Sequence, residues 1–292
     1  MTLRPKTLAR VGLAGVVAAL TAACSPLSLF ATLTPKDAAV RSASAVAYGE
    51  GPRRMLDVYA PPRSTTAAPI AVFFYGGSWD SGRRQDYSWA GRALAAKGFL
   101  TVVPDYRLFP EVRYPGFLED GAQAVKWAQD NAARLGGDPG RIVLVGHSAG
   151  AYNAVMLGLD PRYLTAVGAD AAAVKAVAGL AGPYDFLPID GPITQRTFGQ
   201  SPDLPATQPK AYVRRDGPAA FLATGDADTT VYPRNTRKLA AALRDAGAVV
   251  EERHYPGIDH IAIVLALSKP LRGRAPVLEE MTDFLRRQVG LT

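Results

Sequence analysis

The sequence predicts an α/β chain built on a mostly parallel sheet flanked by helices, and three observations carry that prediction. From about residue 54 onward, short apolar runs alternate with longer helical periods, as repeated βαβ units require. Two of the runs, Ile70–Tyr75 and Ile142–Val145, are continuous and end at glycine, the pattern of strands buried on both faces. The second run feeds directly into Gly146-His147-Ser148-Ala149-Gly150, and a helical stretch leaves it.

Taken in order, Arg54–Ala60 reads as an early strand ended by Pro61-Pro62, and Ile70–Tyr75 as the next, stopped by Gly76-Gly77. A helix over Trp89–Lys97 and a strand over Phe99–Pro104 follow. Phe117, Gly121, Ala124, Val125 and Ala128 share one face of a helix that runs to about Arg134. Gly136-Gly137-Asp138-Pro139 breaks the chain before the strand Ile142–Val145, and a helix starts at about Ala149. A strand at Val174–Gly179 precedes residues 183–216, which are rich in Pro, Asp and Gly and show little periodicity. Phe221–Thr224 is a strand, Asn235–Ala246 a helix and Val249–Tyr255 a strand. Leu278–Gln288 closes the chain as a helix with Met281, Phe284 and Leu285 facing in.

The chain of 292 residues can bury one substantial core, and its 48% hydrophobic and 20% charged residues exclude disordered and fibrous classes. The net charge is +7, but Arg4, Lys6 and Arg10 supply three of the positive charges; without them +4 remains, dispersed. No basic stripe interleaves with aromatics, so nucleic acid is not an expected partner. The single cysteine excludes an internal disulfide, no Cys/His cluster has zinc spacing, and no metal or organic cofactor is implied.

That cysteine follows a basic segment, Met1–Arg10, an apolar run, Val11–Leu20, and Thr21-Ala22-Ala23. Positive, apolar and small-residue segments in that order are the layout of a secretory signal peptide. Ten apolar residues are too few to cross the ~30 Å hydrocarbon core as a helix. The segment resembles the lipobox of bacterial lipoproteins, although Thr21 stands where Leu is usual. The resemblance implies a signal peptide over residues 1–23, lipidation of Cys24, and an exported protein held on a membrane of the cell envelope. Residues 24–45, rich in small side chains, are then expected to be a tether, with the folded domain over residues 46–292.

The motif Gly146-His147-Ser148-Ala149-Gly150 is a G-x-S-x-G nucleophile elbow in the strand–turn–helix setting that gives it meaning. A sharp turn strains the serine backbone and leaves room only for glycine at 146 and 150. The helix that follows directs its positive dipole end at developing negative charge. A hydroxyl nucleophile needs a base, and the chain has three histidines. His147 adjoins the serine and should point away, packing behind the turn. His254 lies within a strand. His260 lies in a loop just past the last strand, where a parallel sheet presents its site, and is the expected base. The acid should fall between Ser148 and His260 in the chain, and both Asp226 and Asp228 follow the strand Phe221–Thr224.

Residues 70–160 resemble the esterase branch of the α/β-hydrolase fold that contains hormone-sensitive-lipase-like carboxylesterases and arylformamidases. Tyr75-Gly76-Gly77-Ser78-Trp79 is similar to the family's His-Gly-Gly-x-Trp loop, and Pro104-Asp105-Tyr106-Arg107-Leu108 to its Asp-Tyr-Arg-Leu segment. The family's Gly-x-x-Asp-x-x-Val pattern fits Gly225 to Val231 and selects Asp228 as the acid. The resemblance further implies an oxyanion hole from the N–H groups of Gly77, Ser78 and Ala149, with Trp79 and Tyr75 as pocket residues. Tyr75 stands where the family usually has His. The implied activity is hydrolysis of carboxylic esters through an acyl-enzyme. Residues 184–216 sit where this fold often carries a lid, and the short lid-like insertion expected there points to small or medium acyl groups. An arylformamidase-like amide hydrolase and a non-catalytic surface lipoprotein on the same scaffold are the alternatives.

Overall fold

The computed structural model describes residues 26–62 and 66–291. The signal peptide and the lipidation of Cys24 expected from the sequence lie outside these residues. Eight strands form one sheet: β1 (Val40–Ala47), β2 (Met55–Ala60), β3 (Ala68–Phe74), β4 (Leu100–Pro104), β5 (Gly137–His147), β6 (Val174–Leu180), β7 (Ala219–Gly225) and β8 (Val250–Tyr255). Their spatial order is β1-β2-β4-β3-β5-β6-β7-β8, with β1/β2 and β2/β4 antiparallel and every other pair parallel. β3, β4 and β7 are buried along their whole length, which is why they read as predominantly apolar runs, interrupted only by the buried Thr101 in β4 and Thr224 in β7.

Helices α2 (Ser88–Ala96), α3 (Gly116–Leu135), α4 (Ala149–Leu159), α7 (Arg234–Asp245) and α9 (Val277–Gln288) pack on the sheet; α1 (Pro26–Leu33), α5 (Arg162–Ala166), α6 (Pro192–Phe198) and α8 (Ala262–Leu265) are shorter. α3 ends where Gly136 takes a left-handed conformation, φ 77°, and the chain enters β5 at the next residue instead of pausing in a loop. The strand order reverses beside β3: the chain leaves β3 for β4 on one side and returns to β5 on the other. The loops after β3 and β5 therefore open a crevice at the carboxyl ends of the strands, where doubly wound sheets hold their ligands.

The expected tether over residues 24–45 is corrected from Pro26 onward. α1 is built into the domain: Phe30 meets Trp89 edge to face, with centroids 5.6 Å apart, and Ser28 Oγ donates to Asp86 at 2.7 Å. Arg272 donates to both carboxylate oxygens of Asp37, at 3.1 and 2.8 Å. β1 is an edge strand whose side chains are mostly exposed, so it has no apolar face for a sequence pattern to reveal. It is fixed by its ladder with β2 and by Asp57, which accepts from Arg41 and from the backbone N–H of Ala45.

Candidate active site

β5 delivers Ser148 at φ 55° and ψ −123°, a positive-φ conformation that a serine adopts only when its surroundings impose it. A Cβ on Gly146 would collide with the backbone of Gly150, and one on Gly150 with the carbonyl oxygens of Phe74 and Tyr75. Ser148 N donates to Leu180 O at 2.9 Å, pinning the turn to the end of β6, and α4 begins at the next residue.

The loops after β7 and β8 are tied together by backbone bonds from Asp226 N to Tyr255 O, 3.0 Å, and from Ala227 N to Ile258 O, 3.1 Å. This pairing brings Asp228 to His260. His260 Nδ1 lies 2.8 Å from Asp228 Oδ2, and His260 Nε2 lies 2.9 Å from Ser148 Oγ. An ionised carboxylate only accepts, so Nδ1 carries the proton and Nε2 is free to accept from the serine hydroxyl. The other carboxylate oxygen, Oδ1, accepts the N–H groups of Thr230 and Val231 at 2.9 and 2.8 Å. Asp228 is 2% exposed and His260 8%, so the pair works largely out of water. Asp226, the competing acid, faces His254 Nδ1 at 3.2 Å, and His254 also meets Glu252 at 2.8 Å. Among the described residues neither of them bonds Ser148, whose hydroxyl faces His260.

His147 packs beside His260, ring centroids 5.0 Å apart, and its Nε2 donates to the backbone oxygen of His260 at 2.8 Å. Sequence reasoning assigned it packing alone; no local signal shows that it also holds the backbone of the base. Burial, helped by the neighbouring His260, lowers its pKa to about 3, so it stays neutral.

After β3 the loop runs through positive φ at Gly77 (137°), Ser78 (54°) and Trp79 (58°). Gly77 O accepts from Asp80 N and Ser81 N, each at 3.0 Å, which closes the turn. Gly76 passes so near the elbow that a Cβ there would lie 2.9 Å from His147 Nδ1 and 3.0 Å from Ser148 Cβ. Among the described residues no protein acceptor takes the N–H groups of Gly77, Ser78 or Ala149. Ser78 and Ala149 border one cavity with Ser148, and Gly77 and Ser78 border another with it. Such N–H groups can stabilise an oxyanion.

Tyr75 corrects an expectation. It is fully buried and borders neither cavity beside Ser148. Its ring stacks between Tyr106, 4.7 Å away, and Tyr87, 5.7 Å away, and Tyr106 Oη donates to its backbone oxygen at 2.7 Å. The tyrosine thus supports the loop from behind. Asp105 adds to that support by accepting from Arg84 N and pairing with the Arg84 guanidinium.

Two cavities meet at Ser148. One, of about 300 Å³, is bordered by Trp79, Pro183, Phe186, Ile193 and Val231. Trp79 donates to Asn153 at 3.1 Å and packs against Phe117, Tyr152 and Phe198. The aperiodic segment between β6 and β7 supplies Pro183, Phe186 and Ile193; its want of a pattern hid them. The second cavity, of about 500 Å³, is bordered by Arg53, Gly76, Gly77, His147, His260 and, from α1, Leu27.

Residues 56–243 match the BD-FAE family. The probable isoprenylcysteine alpha-carbonyl methylesterase ICMEL1 of Oryza sativa subsp. japonica is 32% identical over 82% of this chain and 61% of its own length. Esterase LipC of Mycobacterium tuberculosis is 30% identical over 81% of this chain and 67% of its own. Esterase LipQ of the same organism is 30% identical over 83% and 61%. The chain thus spans about three fifths of the length of most of these curated relatives. Among solved structures, a truncated carbohydrate esterase from gut microbiota superposes with a TM-score of 0.77 at 23% identity, over 88% of this chain and 99% of that one. Thermogutta terrifontis esterase 2 phosphonylated by sarin superposes with a TM-score of 0.72 at 23% identity, over 86% and 96%. At these identities the structural likeness shows the fold.

Proposed function

The chain belongs to the BD-FAE family, in the hormone-sensitive-lipase-like branch of the α/β-hydrolase esterases, and from that premise we propose that it hydrolyses carboxylic esters with Ser148 as nucleophile. The observation that carries the proposal is the continuous hydrogen-bonded run from Ser148 Oγ through His260 to Asp228. His260 Nε2 takes the hydroxyl proton as Oγ attacks the ester carbonyl, and Asp228 stabilises the imidazolium. The N–H groups of Gly77, Ser78 and Ala149 receive the oxyanion; one such donor contributes ~3–4 kcal/mol in measured cases. His260 then protonates the departing alkoxide, and water, activated by the same imidazole, releases the acid.

The leaving oxygen must lie within reach of His260 Nε2, so the alcohol half occupies the cavity that His260 borders. The acyl group then enters the other cavity, whose size and apolar border suit small or medium chains. The test is hydrolysis of p-nitrophenyl esters of rising acyl length by the protein and by Ser148→Ala. Turnover of acetate and butyrate that disappears in the variant is expected. Equal rates in the two proteins would refute the assignment of Ser148, and a preference for long chains would refute the acyl-pocket assignment.

We further propose that the protein is exported and lipidated on Cys24, on the strength of the basic, apolar and small-residue segments that precede this lone cysteine. α1 begins two residues beyond it, so the domain would sit close against the membrane. Mass spectrometry of the N-terminal peptide tests this; an unmodified Cys24 in protein expressed in a bacterial host with lipoprotein processing would overturn it.

A further inference from the structure

The cavity assigned to the alcohol half carries an arginine that the mechanism does not use. Arg53 lies in the turn between β1 and β2 and borders this cavity together with Ser148 and His260. Its Nη1 donates to Gly82 O at 2.9 Å and to Tyr75 Oη at 3.3 Å, both of them neutral acceptors. Among the described residues no carboxylate pairs with it, although its neighbour Arg54 is paired with Asp120. Arg83 and Asp86, the other charged residues on the same cavity, neutralise each other at 3.0 Å. His147 is held neutral by burial, so among the residues that border the cavity Arg53 is the charge without a paired partner; the Asp228 carboxylate lies behind His260 and does not border it. The acyl cavity differs: its charged border is Asp190 and Arg234, which sum to zero.

A guanidinium has five N–H donors in a fixed fork, and two neutral acceptors on one nitrogen leave Nε and Nη2 for a ligand. We propose that Arg53 is a specificity-determining residue that binds a carboxylate on the alcohol half of the substrate, a deepening that rests on the esterase assignment above. One positive charge matches a carboxylate monoanion better than a phosphate monoester, which carries about −1.5 to −2 at neutral pH. The substrate class is accordingly an ester of a short apolar acid with a hydroxy acid, cleaved to the free acid and the hydroxy-carboxylate. The ester C–O bond breaks, water supplies the hydroxyl of the acid, and the alkoxide oxygen gains its proton from His260.

The test compares 4-acetoxybenzoate with its neutral isostere 4-acetoxybenzamide. Both give the same acetyl-enzyme, so any difference in kcat/KM arises before deacylation. The expected result is a ratio of anionic to neutral kcat/KM that falls on the order of tenfold or more in Arg53→Gln, the scale of a lost hydrogen bond to a charged group, and recovers in part in Arg53→Lys. In the unaltered protein the same ratio should fall as ionic strength rises. Equal losses on both substrates in Arg53→Gln would mean that Arg53 only fastens the loop through Gly82 and would overturn the proposal. A ratio insensitive to salt in the unaltered protein would overturn it too, without reliance on the variant's folding. Hydrolysis of neither ester by the unaltered protein would instead overturn the esterase assignment on which the proposal stands.

Discussion

Replacing Asp228 with Asn changes one atom of the site, and the structure dictates which way the new amide must face. Oδ1 of Asp228 accepts two backbone N–H groups, from Thr230 and Val231, in a fully buried position. Turning the amide nitrogen toward them would set donor against donors, so the amide oxygen stays there. The NH2 group then faces His260 Nδ1 across the 2.8 Å now spanned by a charged hydrogen bond. Nδ1 must become the acceptor, the ring proton moves to Nε2, and Nε2 can no longer take the proton of Ser148, 2.9 Å away. A wrong-tautomer defect of this kind lowers kcat by about 10⁴, or ~5.5 kcal/mol in the barrier. The assay is the initial rate of p-nitrophenyl acetate hydrolysis, with a thermal melt beside it. The hydrogen-bond geometry survives in the variant, so the melt should move by no more than about 2–4 °C. Asp226→Asn, which touches only the half-exposed pairing with His254, should keep its rate within about twofold. An Asp228→Asn variant within tenfold of the parent, or a larger loss in Asp226→Asn, would refute the reasoning.

Gly150→Ala drives a methyl group into the carbonyl oxygens of Phe74 and Tyr75, backbone atoms that cannot rotate away, and should cost about 3 kcal/mol or more in urea unfolding; an unchanged midpoint would refute so close an approach. His147 binds its proton at about pH 3 when folded and near 6.5 when unfolded, so the unfolded chain binds the extra proton between those values. Its contribution to stability is therefore complete above pH 6.5 and is lost progressively as pH falls toward 3. Relative to His147→Gln, which keeps a donor for His260 O but does not titrate, the parent should lose about 2–3 kcal/mol between pH 7 and 4.5; parallel stability profiles for the two proteins would contradict this.

Much of the framework was legible because its signals are local. β3 and β7 are buried on both faces and so read as apolar runs. α9 showed itself through the inward face of Met281, Phe284 and Leu285. The elbow was legible for the same reason: the strand, the two glycines and the helix start lie within a dozen consecutive residues. α1 and β1 were not legible, since a short helix of small and apolar residues and an exposed edge strand carry no periodicity that distinguishes them from a tether. Tyr75 looked like a pocket residue because its position in the motif is next to the oxyanion loop; its ring turned inward because Tyr87 and Tyr106 offer it a stack.

By itself the sequence determined the fold class, the strained serine and a short set of candidate partners, since these follow from hydrophobic period, glycine placement and the scarcity of histidine. Only the tertiary structure decided which candidates meet. His260 is 112 residues from Ser148 and 32 from Asp228, and their convergence depends on the strand order and on two backbone bonds between neighbouring loops. It also decided that Asp226 turns to His254, that His147 bonds the backbone of His260, and that Arg53 borders the cavity beside Ser148 and His260 with no carboxylate paired to it among the described residues. The physical reason is common to all of these. Periodicity along the chain records which face of an element avoids water, whereas a side chain's partner is fixed by which elements the sheet sets side by side.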